Sequence, residues 1–255
     1  MLDIKPLKSS KKPDKHLASM LPLDVQDLVY EDRGNRIIRG VNLQIASTGC
    51  TAIMGYNGAG KSVLVRLLHG LLTPSSGTLK WSGEFTKDEI ARRQSMVFQT
   101  PVLLRRSVEA NIEYALQARG FNREQCSLRL EEVLREGDLS KLRKRSARVL
   151  SAGERQRIAV CRALAVEPEI VFLDEPTASL DPAAILAIEK LLQRAMHAGR
   201  KLIIVSQSIG QVKRLARDVI FVHKGNITEH TPVDEFLSTP RSEPARAFVH
   251  GILFE

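Results

Sequence analysis

The sequence contains no long apolar segment and no leader-like start. No stretch reaches the roughly 18 consecutive apolar residues that a transmembrane helix needs, and the longest runs, such as residues 170–173 and 202–205, are short. The N-terminus also lacks the apolar core of a secretory signal peptide. We therefore expect a chain that neither crosses a membrane nor is secreted.

Paired cysteines and aromatic residues are also scarce. Cys50, Cys126 and Cys161 lie far apart with no CxxC pair, which argues against a disulfide framework or a zinc site and favours the cytoplasm. Aromatic residues are only 5% of the chain, which disfavours a base-stacking surface. The net charge of +9 is compatible with nucleic acid, anionic lipid, an anionic ligand or simply a basic surface. We expect no nucleic-acid partner.

The 255 residues, of which 43% are hydrophobic, suit one large α/β domain or two small ones. Residues 1–22, rich in lysine and proline, are predicted to be a flexible basic tail, with weak contact to acidic lipids as a lesser possibility. Beyond it, short apolar strands alternate with helices, which predicts a mostly parallel sheet covered on both faces. The strands are predicted at 50–54, 95–98, 170–173, 202–205 and 219–222. The helices are predicted at 62–71, within 107–148, and at 154–166, 182–198 and 208–216.

A glycine-rich loop follows the first of these strands. Residues 55–62 read GYNGAGKS, which matches G-x-x-x-x-G-K-S between a strand and a helix. Its backbone N–H groups and the helix N-terminus suit phosphate oxygens, Lys61 suits the β- and γ-phosphates, and the Ser62 hydroxyl suits Mg²⁺. The predicted nucleotide-binding residues of this segment are Gly55, Asn57, Gly58, Ala59, Gly60, Lys61, Ser62 and Val63.

Two carboxylates follow the apolar strand at 170–173. Buried carboxylates are costly unless they perform a function. We expect Asp174 to hold Mg²⁺ and Glu175 to orient or deprotonate the water that attacks the γ-phosphate. The pair is only a moderate signal alone, but it strengthens the phosphate-loop prediction.

Residues 150–157, LSAGERQR, resemble the signature of the ABC ATPase family, which is Leu-Ser-Gly-Gly-Gln or close to it. The order of elements matches that family as well, and the resemblance covers nearly all of residues 23–255, taken as the ABC ATPase domain. It implies an α/β P-loop NTPase fold. In such a fold a RecA-like parallel sheet core carries an N-terminal antiparallel β subdomain and a helical subdomain, here at about 99–155.

The resemblance also implies a mechanism. Two copies would face head to tail as a homodimer and clamp two ATP molecules with Mg²⁺, each between the phosphate loop of one copy and Ser151, Gly153 and Glu154 of the other. Gln99 would sense Mg²⁺ and the water, and Asp181 would signal across the dimer. Tyr30 would stack on adenine, and the less favoured alternative is a surface tyrosine of a strand.

Two positions depart from the family pattern. Ala152 replaces a glycine of the signature but keeps its N–H, so we expect little effect. Gln207 stands where the family has a histidine that contacts the γ-phosphate. A glutamine amide can donate a hydrogen bond, but it cannot carry a charge. We expect a working but slower ATPase, with catalytic residues Glu175, Gln207 and Gln99. The alternative is a regulatory chain that binds ATP and barely hydrolyses it.

The compact form resembles importer ATPases, which work at the cytoplasmic face of the membrane with an integral permease and an extracytoplasmic solute-binding protein. Residues 98–108 and 210–216 look most like the tungstate importers, with phosphate and molybdate importers as alternatives. The helices after Gln99 would hold a short permease helix. Leu103, Leu104 and Arg105 would either line that groove or cap the subdomain core.

A different class is a soluble ABC protein of DNA repair or translation. Those proteins usually carry two such domains or a long coiled-coil insertion, and neither is found in this sequence. Strong, salt-dependent nucleic-acid binding would support that class.

Overall fold

Strands and helices alternate along residues 19–252, the part of the chain that the computed structural model describes. The strands are β1 (Leu23–Asp32), β2 (Asn35–Ile45), β3 (Cys50–Met54), β4 (Ser76–Trp81), β5 (Gln94–Val97), β6 (Ile170–Asp174), β7 (Lys201–Val205), β8 (Asp218–His223) and β9 (Asn226–Pro232). The helices are α1 (Lys61–His69), α2 (Lys87–Arg92), α3 (Val108–Ala118), α4 (Arg123–Glu136), α5 (Ala152–Ala165), α6 (Pro182–His197), α7 (Ile209–Leu215), α8 (Val233–Ser238) and α9 (Glu243–Val249).

A six-stranded sheet in the order β5-β6-β7-β3-β8-β9 forms the centre of the fold. The pairs from β5 to β8 are parallel, and β9 adds antiparallel to β8. The five strands predicted from the sequence are all present within a residue or two of their predicted bounds. Parallel strands end at a common edge, so β3, β6 and β7 bring the residues that follow them together.

Both faces of this sheet are buried, as continuous apolar strands predict. Along β7, Leu202 and Ile204 belong to one hydrophobic cluster, whereas Ile203 and Val205 belong to the other. The first cluster contains buried residues of α3 to α9. The second contains buried residues of α1 and of the antiparallel strands. The prediction of a parallel sheet covered on both faces is therefore confirmed.

An antiparallel sheet in the order β2-β1-β4 lies against the second cluster. Leu23, Val25 and Leu28 of β1 are buried there together with Phe172 and Ile203 of the central sheet. Antiparallel pairing leaves the outer face of these strands exposed, so they alternate in burial and lack the continuous apolar runs of β3, β6 and β7. The predicted architecture of a parallel core with an antiparallel β subdomain is confirmed.

Helices α3 and α4, followed by two short 3-10 turns, form the region between β5 and α5. Ser107 caps α3 by accepting a hydrogen bond from Ala110 N, as its residue type predicts. Arg143 and Lys144 both pair with Glu109, which fastens the turns to the start of α3. Helix α5 packs against both α3 and α6, so it joins this helical region to the sheet.

The predicted tail at 1–22 falls largely outside the described residues, which begin at 19. Within it, Met20 and Leu21 are buried in the second cluster, and the Ser19 hydroxyl and Met20 N–H donate to Glu169 Oε1 at 2.5 and 2.8 Å. Residues 19–22 therefore pack with the folded part. Across residues 19–252, the structure contains no helix that combines the length and apolar character needed to span a bilayer.

Candidate active site

The predicted phosphate loop connects the end of β3 to the start of α1. Gly55 opens it with φ of +146°, and a Cβ atom there would lie 2.1 Å from the Val222 carbonyl oxygen. No larger residue fits, because the loop runs directly over the end of β8. Tyr56 points away from the loop into an aromatic contact with Phe248, 5.2 Å between ring centroids. The loop is thus anchored on its inner side.

Lys61 begins α1 and folds back over this loop. Its Nζ donates to the carbonyl oxygens of Gly55 and Tyr56 at 2.9 and 2.8 Å, and the residue is only 5% exposed. Burial lowers the pKa of Lys61, while the charges of Glu175 and Asp174 act in the opposite direction. The ammonium group is therefore held at the loop, where an anionic ligand would offset the cost of its burial.

Asp174 and Ser62 bring two oxygens together beside the loop. The Ser62 hydroxyl donates to Asp174 Oδ1 at 2.8 Å, and Arg66 lies 3.7 Å from Asp174 Oδ2. A hydroxyl and a carboxylate are the hard oxygen ligands that Mg²⁺ prefers. Residues 19–252 contain no group of three or more His, Cys, Asp and Glu suited to a metal ion. The donor set thus fits a cation that takes its other ligands from phosphate and water.

Glu175 lies between two side-chain amides. Gln207 Nε2 donates to Glu175 Oε1 at 2.7 Å, and Gln99 Nε2 donates to Oε2 at 3.3 Å. The second hydrogen of the Gln207 amide reaches Asn57 Oδ1 at 2.8 Å. The structure therefore brings together the three predicted catalytic residues and joins them to the phosphate loop.

The segment that carries Gln99 is held by α5. Gln156 is 2% exposed, and its Nε2 donates to the Phe98 carbonyl at 3.2 Å. Sequence reasoning missed Gln156, since a single glutamine in a helix carries no signal of its own. It also missed Arg66, which lies 3.7 Å from Asp174 Oδ2. Thr177 and Gln211, which hydrogen-bond to each other, were missed as well.

The signature residues form the capped start of α5. Ser151 Oγ accepts from Glu154 N at 3.2 Å, and Glu154 Oε2 accepts from Ser151 N at 2.8 Å. This backbone hydrogen bond, opposed by burial, lowers the pKa of Glu154. The carboxylate predicted to bind nucleotide is thus engaged in capping, whereas the N–H groups of Ala152 and Gly153 have no partner within the helix. No hydrogen bond in the described part of the chain joins residues 151–154 to the phosphate loop.

Gly153 also packs closely against the start of α6. A Cβ atom at Gly153 would lie 2.7 Å from the Ala184 Cβ. Asp181 caps α6 by accepting from Ala184 N at 2.9 Å. The signature and Asp181 therefore form one packed unit.

Tyr30 lies on β1 opposite Ile38 and is partly buried against the second cluster. Ile38 approaches the loop, since a Cβ atom at Gly60 would lie 3.1 Å from Ile38 Cδ1. Tyr30 is therefore one strand away from the phosphate loop, and its contact with adenine stays a prediction.

A groove of about 300 Å³ opens between the sheet and α3. Its lining includes His69, Leu71, Gln94, Phe98, Arg119 and Arg162. Of the residues predicted to line a groove, Leu103 instead packs against the first cluster, and Leu104 N donates to Asn111 Oδ1 at 2.7 Å. The alternative, in which this segment caps the subdomain core, describes these two residues better.

Comparison with known proteins gives a consistent result. A family model described as ABC transporter matches residues 38–178. The tungstate uptake system ATP-binding protein TupC of Peptoclostridium acidaminophilum is 34% identical over 82% of this chain and 98% of its own length. The phosphate import ATP-binding protein PstB of Mycoplasmoides gallisepticum is 27% identical over 94% and 78%. The arginine/ornithine transport ATP-binding protein AotP of Pseudomonas aeruginosa is 30% identical over 92% and 100%.

The fold has matches among solved structures. That of cbiO1 from Clostridium perfringens, part of the ABC transporter complex cbiONQ, superposes with a TM-score of 0.76 at 28% identity. The superposition covers 87% of this chain and 91% of the other.

Proposed function

This chain belongs to the ABC transporter family and is one of its ATPases, and from that premise we propose that it drives solute import. It would bind as a peripheral subunit at the cytoplasmic face of an integral membrane permease that works with an extracytoplasmic solute-binding protein. The observation that carries the proposal is the contact of Glu175 with Gln207 and Gln99 beside the buried Lys61.

Each of these side chains has a definite part in ATP hydrolysis. Lys61 uses two of its three hydrogens on loop carbonyls and offers the third to a γ-phosphate oxygen. Glu175 accepts a proton from the attacking water or orients it, with the two amides fixing its carboxylate plane. Ser62, Asp174 and Gln99 are the residues that would hold Mg²⁺. Bound there, the ion would neutralise developing charge on the phosphate oxygens.

Gln207 is the position on which a motor and a regulatory ATP-binding module differ. A histidine contacts the γ-phosphate in the family pattern, and Gln207 instead bridges Glu175 and Asn57 through one amide nitrogen. This contact places a hydrogen-bond donor next to the catalytic carboxylate without any need for charge. The geometry therefore supports the motor over the regulatory module.

The second half of each nucleotide site would come from another copy of this chain. Ser151 and the Gly153 N–H lie at the positive end of α5, which suits a phosphate. Within one chain they form no hydrogen bond to the phosphate loop across residues 19–252. A head-to-tail homodimer would bring them to the γ-phosphate of the partner's ATP, with Asp181 beside them.

The groove between the sheet and α3 is the proposed seat of a permease segment. Leu71 and Phe98 are 49% and 36% exposed there, and Arg119 and Arg162 add positive charge. Gln94 is only 1% exposed, and neither of its amide atoms has a partner among the described residues. A docking segment that is apolar on one side and carries both a donor and an acceptor would satisfy this amide.

We propose tungstate or a related oxyanion as the cargo. The relatives named above support an oxyanion through TupC and PstB, while AotP shows that similar identity extends to amino-acid transport. Phosphate and molybdate are the alternatives. The ATPase does not itself bind the cargo, so the test is stimulation of turnover in the assembled transporter.

Turnover is the first test. The chain, purified with its permease, should hydrolyse Mg-ATP clearly faster than Glu175→Gln, and tungstate, molybdate, phosphate and arginine would then be compared as stimulants. Turnover equal to that of Glu175→Gln, with ATP still bound, would replace the motor by the regulatory module. Strong, salt-dependent binding of nucleic acid would instead support a repair or translation protein.

Docking has a matched pair of variants. Leu71→Glu should abolish co-purification with the permease while leaving ATP binding unchanged, because a charge would enter the groove. Leu186→Glu is the control, since Leu186 is 53% exposed on α6 and does not line this groove. Equal loss in both variants would show that the groove is not the docking site.

A further inference from the structure

Glu175 and Gln207 lie on two loops, and the loop that carries Glu175 has unusual backbone geometry. Residues 175–181 follow β6, and both Glu175 and Ser179 have positive φ, at +44° and +59°. Residues 206–208 follow β7 and carry Gln207. Left-handed backbone at residues other than glycine persists only where surrounding contacts impose it. The contacts that hold these loops are therefore part of the catalytic geometry.

One side chain joins the two loops. Gln211 is 2% exposed in the first turn of α7. Its Nε2 donates to Thr177 Oγ1 at 2.9 Å, and its Oε1 accepts from the Ser206 hydroxyl at 2.9 Å. Thr177 is two residues after Glu175, and Ser206 directly precedes Gln207. A single amide thus links the turn that follows Glu175 to the loop that carries Gln207.

The orientation of this amide is set by a neighbouring carboxylate. Gln211 Nε2 also lies 3.4 Å from Glu189 Oε1, and Glu189 is 2% exposed on α6. A carboxylate paired with Arg214, as Glu189 is at 2.7 Å, can only accept hydrogen bonds. An amide turned by 180° would set oxygen against oxygen. The donor side must therefore face Thr177 and Glu189, which leaves the acceptor side for Ser206.

We propose that Gln211 is a positioning residue for ATP hydrolysis, which couples the Ser206–Gln207 loop to the Thr177 turn and so holds Glu175 and Gln207 in contact. The hydrogen bonds of the Gln211 amide go to Thr177, Ser206 and Glu189, so it acts through the two loops. The proposal rests on the ATPase function. It predicts a loss in the hydrolytic step and not in nucleotide binding, because the phosphate loop keeps its own contacts.

The test is Gln211→Leu in the full chain assembled with its permease. Leucine keeps the size of the side chain but removes the hydrogen bonds to Thr177, Ser206 and Glu189. We expect kcat to fall about tenfold, with KM for ATP and Kd for ADP unchanged within twofold. Val212→Ala is the matched control, because Val212 is fully buried in the same turn of α7 and its truncation loosens packing without touching either loop. Val212→Ala should lower the melting temperature and leave kcat within twofold.

Thr177 supplies the second arm of the test. Thr177→Val removes the hydroxyl and should reproduce the loss of kcat, whereas Thr177→Ser keeps the hydroxyl and most of the rate. The double variant Gln211→Leu/Thr177→Val should be no slower than the slower single variant, because both remove one contact.

Losses that multiply in the double variant would overturn the proposal, as would equal kcat losses in Gln211→Leu and Val212→Ala. A different result would overturn the ATPase function itself: the unmodified chain would hydrolyse ATP no faster than Glu175→Gln.

Discussion

Lys201, at the edge where the parallel strands begin, and Lys61, at the edge where they end, are both buried, but their surroundings differ. Lys201 Nζ donates to Thr51 Oγ1 and to the Thr48 carbonyl at 2.8 and 3.1 Å. Among residues 19–252, Lys61 Nζ donates only to carbonyls of its own loop. Burial lowers the pKa of both lysines.

The beginning edge completes its polar network within the chain. Thr51 donates to Asp218 Oδ1 at 3.0 Å, and His230 Nε2 lies 2.7 Å from Asp218 Oδ2. Burial would raise the pKa of Asp218, but the contacts with His230, Lys201 and Thr51 outweigh it and lower the pKa. The network extends across β7, β3, β8 and β9 and ties these strands together.

The ending edge leaves charge without a full set of partners. Lys61 faces two carboxylates, and Glu175 is held by neutral amides in a left-handed backbone conformation. A phosphate and a cation would complete both halves of this arrangement. The two polar clusters of this sheet thus have different roles. The polar groups of one find their partners within the protein, whereas those of the other require a ligand. Variants at the two edges should separate catalysis from stability.

The largest effect is expected from Glu175→Gln at the ending edge. Removal of the base should lower kcat about 1,000-fold, while ATP binding persists through the phosphate loop. The melting temperature should stay equal or rise, since one of two adjacent carboxylates is neutralised. Steady-state turnover and calorimetry check both parts. Turnover within tenfold of the unmodified chain would mean that Glu175 is not the base.

Asp218→Ala should show the opposite behaviour at the beginning edge. It leaves the buried Lys201 without its nearest carboxylate, which should cost about 3 kcal/mol of unfolding free energy. ATP turnover per folded molecule should stay within twofold. Because the folded pKa of Asp218 lies below its ordinary value of 3.8, its contribution is present above about pH 4 and lost as the pH falls further. Urea unfolding at pH 7 and pH 3 measures this, and a variant equally unstable at both would contradict it.

His69 is the last residue of α1, the helix that begins at the phosphate loop. It should make the free energy of unfolding depend on pH without any contribution from the residues of either edge. Burial, with a smaller effect of Arg119, lowers the pKa of His69 to about 4. Between its ordinary 6.5 and 4, only the unfolded chain binds the proton, so stability falls as the pH falls. From pH 7 to 5 the unmodified chain should lose about 1.5 kcal/mol more than His69→Gln, with partial exposure taken into account. Parallel losses in the two proteins would remove His69 as the cause.

The smallest effect is expected from Gln207→His. A histidine matches the family pattern and can carry charge next to the γ-phosphate, so kcat should rise roughly threefold, and a new acid limb should appear near pH 6.5. The unmodified chain, with its neutral amide, should lack that limb. A pH–rate profile of both proteins checks this. An unchanged kcat would count against the view that Gln207 slows this ATPase.

Much of the fold could be predicted because it rests on local patterns. The five predicted strands became β3, β5, β6, β7 and β8. The apolar runs at β6, β7 and β8 are the clearest of them, since a strand buried on both faces is continuously apolar. The antiparallel strands β1, β2 and β4 could not be located individually, because one face is exposed and their composition is mixed. The start of α5 at Ala152, two residues before the prediction, is set by the Ser151 cap.

The candidate site divides in the same way. The glycine spacing of the phosphate loop and the acidic pair after β6 are local patterns, so they can be predicted from the sequence. Gln156, Gln211 and Thr177 are not, because each contributes through a hydrogen bond that joins residues more than 30 positions apart, Gln156 with Phe98 and Gln211 with Thr177. Whether Leu103 lines a groove or caps the helical core could not be decided from the sequence, since its packing against the first cluster depends on distant residues.

The sequence by itself determined the chemical groups of this protein, their spacing within the phosphate loop and the signature, and the absence of a histidine at position 207. Tertiary structure decided which groups meet. Only the parallel order of β6, β7 and β3 places Glu175, Gln207 and Asn57 within one hydrogen-bonded cluster, although Asn57 and Gln207 are 150 residues apart in the chain. The physical reason is that strand order and register depend on burial of both faces of the sheet, which sums contacts over the whole chain.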